Sequence, residues 1–351
     1  MNPYIYLRVL KHVDFSVFCV QDGQKTYYDP QFGVRVPYSS GQQVKRSILT
    51  SLMDTLNVLP APTTFVFNGK NAKEGEVLSL CDPRYPDQLL GGWMFSIKKG
   101  DERTRKRRSP LSISAMRPLH PLLANVPDEN ISFDRSDMAQ HHKVIVRDEN
   151  GQEMSEKDIK KLLDGTDRSL YRKWIPYNKR ATGLFVYDVA IDLRTLFCIS
   201  MNPFEPEVKD EVAVELREQN WIESENVFGK CLVMPKEQRD KIIPVLANAL
   251  LNWRITSNQA RTFSLMETLA IAISDNANTL ASSIRAKLRD AGESPKASPV
   301  IDENAGANLF VLPACSAYVL TECDSPDAIR CAEQKLIDMM NVYDFENQLN
   351  R

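Results

Sequence analysis

The chain has 351 residues, 43% of them hydrophobic and 26% charged, an ordinary globular composition with length enough for a large core in one to three domains. A formal net charge of −2 excludes a globally basic nucleic-acid binder, so any surface for nucleic acid must be gathered locally. Seven cysteines without a Cys-x-x-Cys pair argue against a disulfide framework, and no uncharged apolar run approaches the roughly 18 residues of a membrane span, so a reducing, cytoplasmic location is expected.

Residues 4–20 alternate, with Ile5, Leu7 and Val9 on one side, and predict a long strand bulged near Lys11-His12 rather than a signal peptide. Residues 21–38 read as a loop of turn formers. Ser39 and Ser40 then cap a helix whose apolar face is Val44, Ile48, Leu49, Leu52, Met53 and Leu56. Lys45 and Arg46 stand in its first turns. Free N–H groups at a helix start, with formal positive charge beside them, suit a phosphate; a solvated Lys-Arg pair on an amphipathic helix is the plainer alternative. Thr63 to Phe67 predict a second strand, closed by Asn68-Gly69.

Residues 98–108 carry seven basic residues against two acidic ones, the densest positive cluster in the chain. It is read either as a solvated loop or as the local charge a nucleic-acid surface needs. A second basic segment, Arg168, Arg172, Lys173, Lys179 and Arg180, is interleaved with Tyr171, Trp174 and Tyr177, a mixture that can hold phosphates and stack on bases. A surface insertion with a small apolar anchor is the competing reading. Residues 183–193 alternate cleanly: Phe185, Tyr187, Val189, Ile191 and Leu193 line one face, with Asp188 and Asp192 on the other, read as solvent-facing or hydrogen-bonded. Helices are expected over 206–222, 235–253, 264–274 and 325–341, a flexible connector over 291–307 and a last strand over 308–321.

Chemistry-bearing motifs are missing from the sequence: there is no Walker loop, Gly-x-Gly-x-x-Gly, His-Glu-x-x-His or Gly-x-Ser-x-Gly. The four histidines, two of them adjacent at His141-His142 in a polar stretch, are too few and too isolated for a convincing metal site. His12 could act as a general base in RNA cleavage, or be structural. Asp22 and Asp29 could bind Mg²⁺ or support turns. No catalytic residue, metal or cofactor is expected.

The segment Ser39-Ser-Gly-Gln-Gln-Val-Lys-Arg-Ser-Ile-Leu49 resembles the first-helix signature of the DevR-like backbone subunit of type I, Cascade-type CRISPR effector complexes, in the RAMP superfamily. Arg107-Arg-Ser-Pro-Leu-Ser-Ile-Ser114 looks like that family's basic Ser-Pro-Leu segment, and Phe185-Val-Tyr-Asp-Val-Ala-Ile-Asp-Leu193 like its central strand. Ser257-Asn-Gln-Ala-Arg-Thr-Phe263 falls where the family has a Gly-Lys-Arg-Ser-rich loop; it lacks the glycines and keeps Arg261. The matches run in the family's order.

The resemblance implies an α+β fold: a modified RNA-recognition (ferredoxin-like) palm with a helical fingers insertion and a thumb hairpin. One discontinuous domain spans 1–351, with the palm near 1–90, 183–200 and 308–351 and insertions near 91–182 and 201–307. It implies a non-enzymatic subunit that polymerises head to tail along guide RNA (crRNA), gripping the backbone without reading sequence and presenting the guide to target DNA. Its partners would be copies of itself and the other Cascade subunits: the guide 5′-end cap, the large and the small subunit. Lys45 and Arg46 are expected on phosphates, Gln42 and Gln43 near the ribose, and Arg35 is a further candidate. Arg105, Lys106, Arg107, Arg108, Arg172, Lys173 and Arg261 are expected to face RNA or a neighbouring copy. Two rivals remain: a type III-like subunit cutting target RNA through a loop Asp with Mg²⁺, and a stand-alone RNA-binding or regulatory protein.

Overall fold

In the computed structural model, which describes residues 2–18, 23–69, 71–96, 104–255, 263–290, 292 and 294–349, the alternation of the first segment becomes β1 (Tyr4–Ser16). The predicted loop after it contains a hairpin, β2 (Thr26–Asp29) and β3 (Val34–Pro37), which leads into α1 (Gly41–Leu56). The ribbon β4 (Thr63–Asn68) and β5 (Asn71–Ser79), the short helix α2 (Pro86–Gly91) and the antiparallel pair β6 (Trp93–Phe95) and β7 (Arg105–Arg107) follow. Next come three short strands: β8 (Leu111–Ile113), β9 (Arg117–Pro118) and β10 (Ala124–Asn125).

The chain forms two compact units, Pro127–Arg180 and the remainder. The smaller holds a two-stranded ribbon, β11 (Asp128–Asp134) and β12 (Arg172–Lys179), with α3 (Glu156–Leu163) between them in sequence. Among its residues whose side chains are described, Arg180 alone is buried, so this unit has no apolar core of its own.

The larger unit resumes with β13 (Ala181–Asp192), then β14 (Cys198–Ser200), α4 (Asp210–Glu218), β15 (Ile222–Asn226), β16 (Gly229–Val233) and α5 (Lys236–Asn252). It ends with β17 (Thr268–Ser274), α6 (Ala277–Ser283), β18 (Ile284–Arg289), β19 (Lys296–Ile301), β20 (Asn308–Val311) and α7 (Ala328–Asn341).

The central sheet is antiparallel throughout, in the order β10-β13-β1-β17-β20, with β8 and β9 also paired to β13. Residues 111–125 thus run along β13 as one strand interrupted twice. Counting that strand once, the core path is strand, α1, strand, strand, α5, strand, laid out in the order fourth, first, third, second. One sheet face packs the helices: Val44, Ile48 and Leu52 of α1 and Ile243, Leu246 and Leu250 of α5 bury with Leu7, Val9, Tyr187, Val189 and Ile271. Part of the other face is closed by a second cluster in which Leu10, Val186 and Ala272 meet Leu280, Ile284 and Val319.

Several boundaries differ from expectation. The predicted helix 264–274 is strand β17, which lies inside the central sheet, and α5 packs on that sheet's face, whereas 201–307 is expected from sequence to be an insertion. Every residue of β17 is buried, and a segment buried on both faces shows no alternation. The connector 291–307 contributes β19, paired to β18. The last strand stops at Val311, where Pro313 opens a 3₁₀ turn. Among the described residues β4 pairs with β5 alone, outside the central sheet. Among the described residues no helix is long and apolar enough to cross a membrane.

Candidate nucleic-acid interface

The start of α1 is fixed by three local contacts. Ser40 is extended, and its hydroxyl accepts from the Gln43 amide at 3.3 Å. Ser39 exchanges backbone hydrogen bonds with Met116 at 2.9 and 3.1 Å. Gly41 lies against the end of β8, where an added Cβ would sit 2.6 Å from the Ile113 carbonyl oxygen. Both partners there are backbone, so Gly41→Ala must displace the helix start. Its expected cost is about 1–3 kcal/mol, read as a fall in the urea midpoint; an unchanged midpoint would show that the contact yields freely.

No acidic residue occupies the first turn of α1, so its dipole is uncompensated. Gln42 and Arg46 are exposed, Gln43 and Lys45 half-buried. Among the described residues neither Lys45 nor Arg46 has an ion pair or hydrogen bond, and burial pulls the Lys45 amine below its usual range. A half-buried cation without a carboxylate is a good acceptor of an anion. The two side chains diverge. Arg46 lies toward the end of α5, while Lys45 stands one turn before Leu49, the residue that meets Gly91.

Beside this helix start, the β2–β3 hairpin exposes Tyr27, Tyr28 and Arg35, whose Nη1 donates to Thr26 Oγ1 at 3.1 Å. Asp29 ends that hairpin: its carboxylate accepts from the Gln31 and Phe32 amides, both at 3.0 Å, the arrangement of a turn. On the open part of the sheet, Asp188 bridges Arg8 (2.7 Å) and Arg117 (3.0 Å), two cations that sequence reasoning passed over. Asp192 holds Arg194 at 2.8 Å. The His12 ring stacks on Tyr318 at 4.3 Å and approaches Glu267 at 3.2 Å.

The basic run divides. Arg108 is exposed, and Lys106 is exposed and paired with Glu205 at 3.2 Å. Arg105 and Arg107 point inward, contrary to the expectation that they face RNA or a neighbour. Arg105 is buried against the Phe95 ring at 4.1 Å. The Arg107 side chain is 1% exposed. It donates to the carbonyl oxygens of Cys198 (2.6 Å), Thr195 (2.6 Å) and Leu89 (3.2 Å), and to Glu207 (3.1 Å). Strand alternation explains the split: residues 105 and 107 share one face of β7, and 106 the other.

In the smaller unit, Arg172 pairs with Asp134, whose carboxyl is held down at about 2 by Ser136 first and Arg172 next. Lys173 is exposed, opposite Phe133 across the ribbon. Trp174 and Tyr177 are 59% and 75% exposed, and Arg135 lies over the Phe133 ring at 4.3 Å. Arg180 is buried and pairs with Glu129, which is itself partly exposed. Arg261 and Asp22 lie outside the described residues.

No family model and no curated protein matches the chain. Among solved structures it is similar to a chain titled "CRISPR RNA-guided surveillance complex", 9% identical with a TM-score of 0.37, over 96% of this chain and 84% of that one. It is similar also to one titled "CRISPR RNA-guided surveillance complex, pre-nicking", 10% identical with a TM-score of 0.43, over 96% and 88%. Scores this low assign neither a shared fold nor a role.

Proposed function

We propose that this chain is a guide-RNA-binding backbone subunit of a type I CRISPR effector complex, holding the RNA by its phosphates without reading its sequence. The observation that carries the reading is the start of α1: a capped helix N-terminus with Lys45 and Arg46 unpaired among the described residues, in the segment that resembles the family's signature. Gly41, which that segment supplies, is the residue the close contact with β8 requires. The core path and its fourth-first-third-second order support a ferredoxin-like, RNA-recognition palm. The exposed aromatics and cations of the β11–β12 ribbon support assigning 127–180 as the thumb.

Sequence-independent RNA binding is chiefly counterion release, so the double variant Lys45→Ala with Arg46→Ala is expected to weaken binding to all single-stranded sequences alike. The log–log salt slope should fall by about 1.4, two phosphates at about 0.7 each. Loss of binding to one sequence only would overturn the phosphate role. Polymerisation has its own test: light scattering after size exclusion should show mass rising in steps as added guide RNA lengthens. One fixed mass at every RNA length would refute assembly along the guide. The reading takes the subunit to be non-catalytic, and the use of Asp29 as a turn former favours it over metal-dependent cleavage at that residue.

A further inference from the structure

We infer that the groove between α1 and the C-terminal end of α5 is a phosphodiester-binding channel, with Arg254 as its second cation beside Arg46. This rests on the RNA-binding reading and adds to it a path and a residue.

The groove has a volume of about 420 Å³, and Arg46, Thr50, Ser51, Asp54, Asn252 and Arg254 line it. Its length follows α1 from the first turn to the last, so an extended ligand is accommodated better than a compact one. No aromatic or aliphatic side chain is among its lining residues, so it offers a base no aromatic platform. Thr50 and Ser51 have hydroxyls without partners among the described residues. Asp54 is the single acid, set against two guanidinium groups. The chemistry is that of a chain of phosphates and sugars.

Arg254 is held firmly. Its neighbours Trp253 and Ile255 are buried at 0% and 1% exposure, which fixes the backbone on both sides. Its Nη1 donates to the carbonyl oxygens of Asn252 (3.0 Å) and Trp253 (2.8 Å), at the end of α5. The other guanidinium nitrogens have no partner among the described residues, and no carboxylate pairs with the group there. Burial disfavours its charge, a cost that an anion in the groove would offset. A role limited to closing the helix end would use Nη1 alone and would not require an open polar groove in front of the remaining donors.

Binding of a fluorescein-labelled oligouridine to the full chain, measured across a salt series, tests this. Arg254→Gln is expected to weaken binding about tenfold and to lower the slope by about 0.7. Asp54→Lys, at an exposed position, is expected to tighten binding and raise the slope by about 0.7. Because that second change is a gain, damage to the fold cannot imitate it, and it decides the matter alone if Arg254→Gln does not fold. Wild-type slopes in both variants, with a lowered slope in Lys45→Ala, would remove the groove from the RNA path and leave the RNA-binding reading standing. No salt-dependent binding of oligouridine by the wild-type chain would overturn both.

Discussion

Replacing Arg107 with Ala is expected to lower the unfolding free energy by about 3–5 kcal/mol, the usual result of removing one partner from a buried, hydrogen-bonded charge pair. Its guanidinium ties together the end of α2 through Leu89 and the segment around β14 through Thr195 and Cys198, and it neutralises Glu207. Without it three carbonyl oxygens lose a donor, and Glu207, which also accepts from the Ser200 amide, is left as a largely buried, unpaired carboxylate. The readout is the urea midpoint, with the RNA salt slope measured on whatever protein remains folded. A fall in slope at unchanged stability would return Arg107 to the RNA surface.

Lys11→Met is expected to change how stability varies with pH. The Lys11 amine is fully buried, with Thr268 Oγ1 at 2.9 Å and the Met266 and Leu251 carbonyl oxygens at 3.3 and 3.5 Å, and lies 5.6 Å from the Trp253 ring centre. Burial first, and the nearby Arg254 next, pull it well below its ordinary value. The sign follows from proton counting. Between the depressed folded value and about 10.4, the unfolded chain carries a proton at this position that the folded chain lacks. Stability therefore rises with pH across that window, by up to about 1.4 kcal/mol per pH unit, and the rise is complete above the unfolded value. Methionine, of similar length and without a charge, should flatten this dependence relative to wild type. Denaturation midpoints from neutral pH to about pH 10 check it; parallel curves for the two proteins would mean that Lys11 is charged in the fold.

Which parts of this molecule could be read from sequence depended on how each segment meets water. α1 has one face in the core and one outside it, and β13 alternates in the same way from Tyr187 to Asp192, so their periodicities are plain in the residue order, and the reading of both holds. β17 carries no such signal, because helices cover one side and the α6–β20 region the other. For the candidate site, the cap and the two cations of α1 were legible because capping and charge are local properties. Arg254 was not, because its significance comes from a groove made with a helix some 200 residues earlier (residue 46 against residue 254). Arg105 and Arg107 misled for the opposite reason: a count of charges in a run contains no information about which side of a strand each one occupies.

The two edges of the central sheet decide what kind of neighbour it can accept. Along one edge, β13 is covered by a strand broken into β8, β9 and β10, whose register shifts between pieces. At the other, β20 is four residues long and stops just before Pro313. Neither presents the long, flat row of free amides and carbonyls that lets a sheet continue into another chain. This sheet is thus protected against runaway strand addition, the hazard of any protein brought to high local concentration. Neighbours that meet this sheet at either edge therefore have side chains rather than a free strand ladder to recognise, and such contacts are ones that salt and single substitutions can undo.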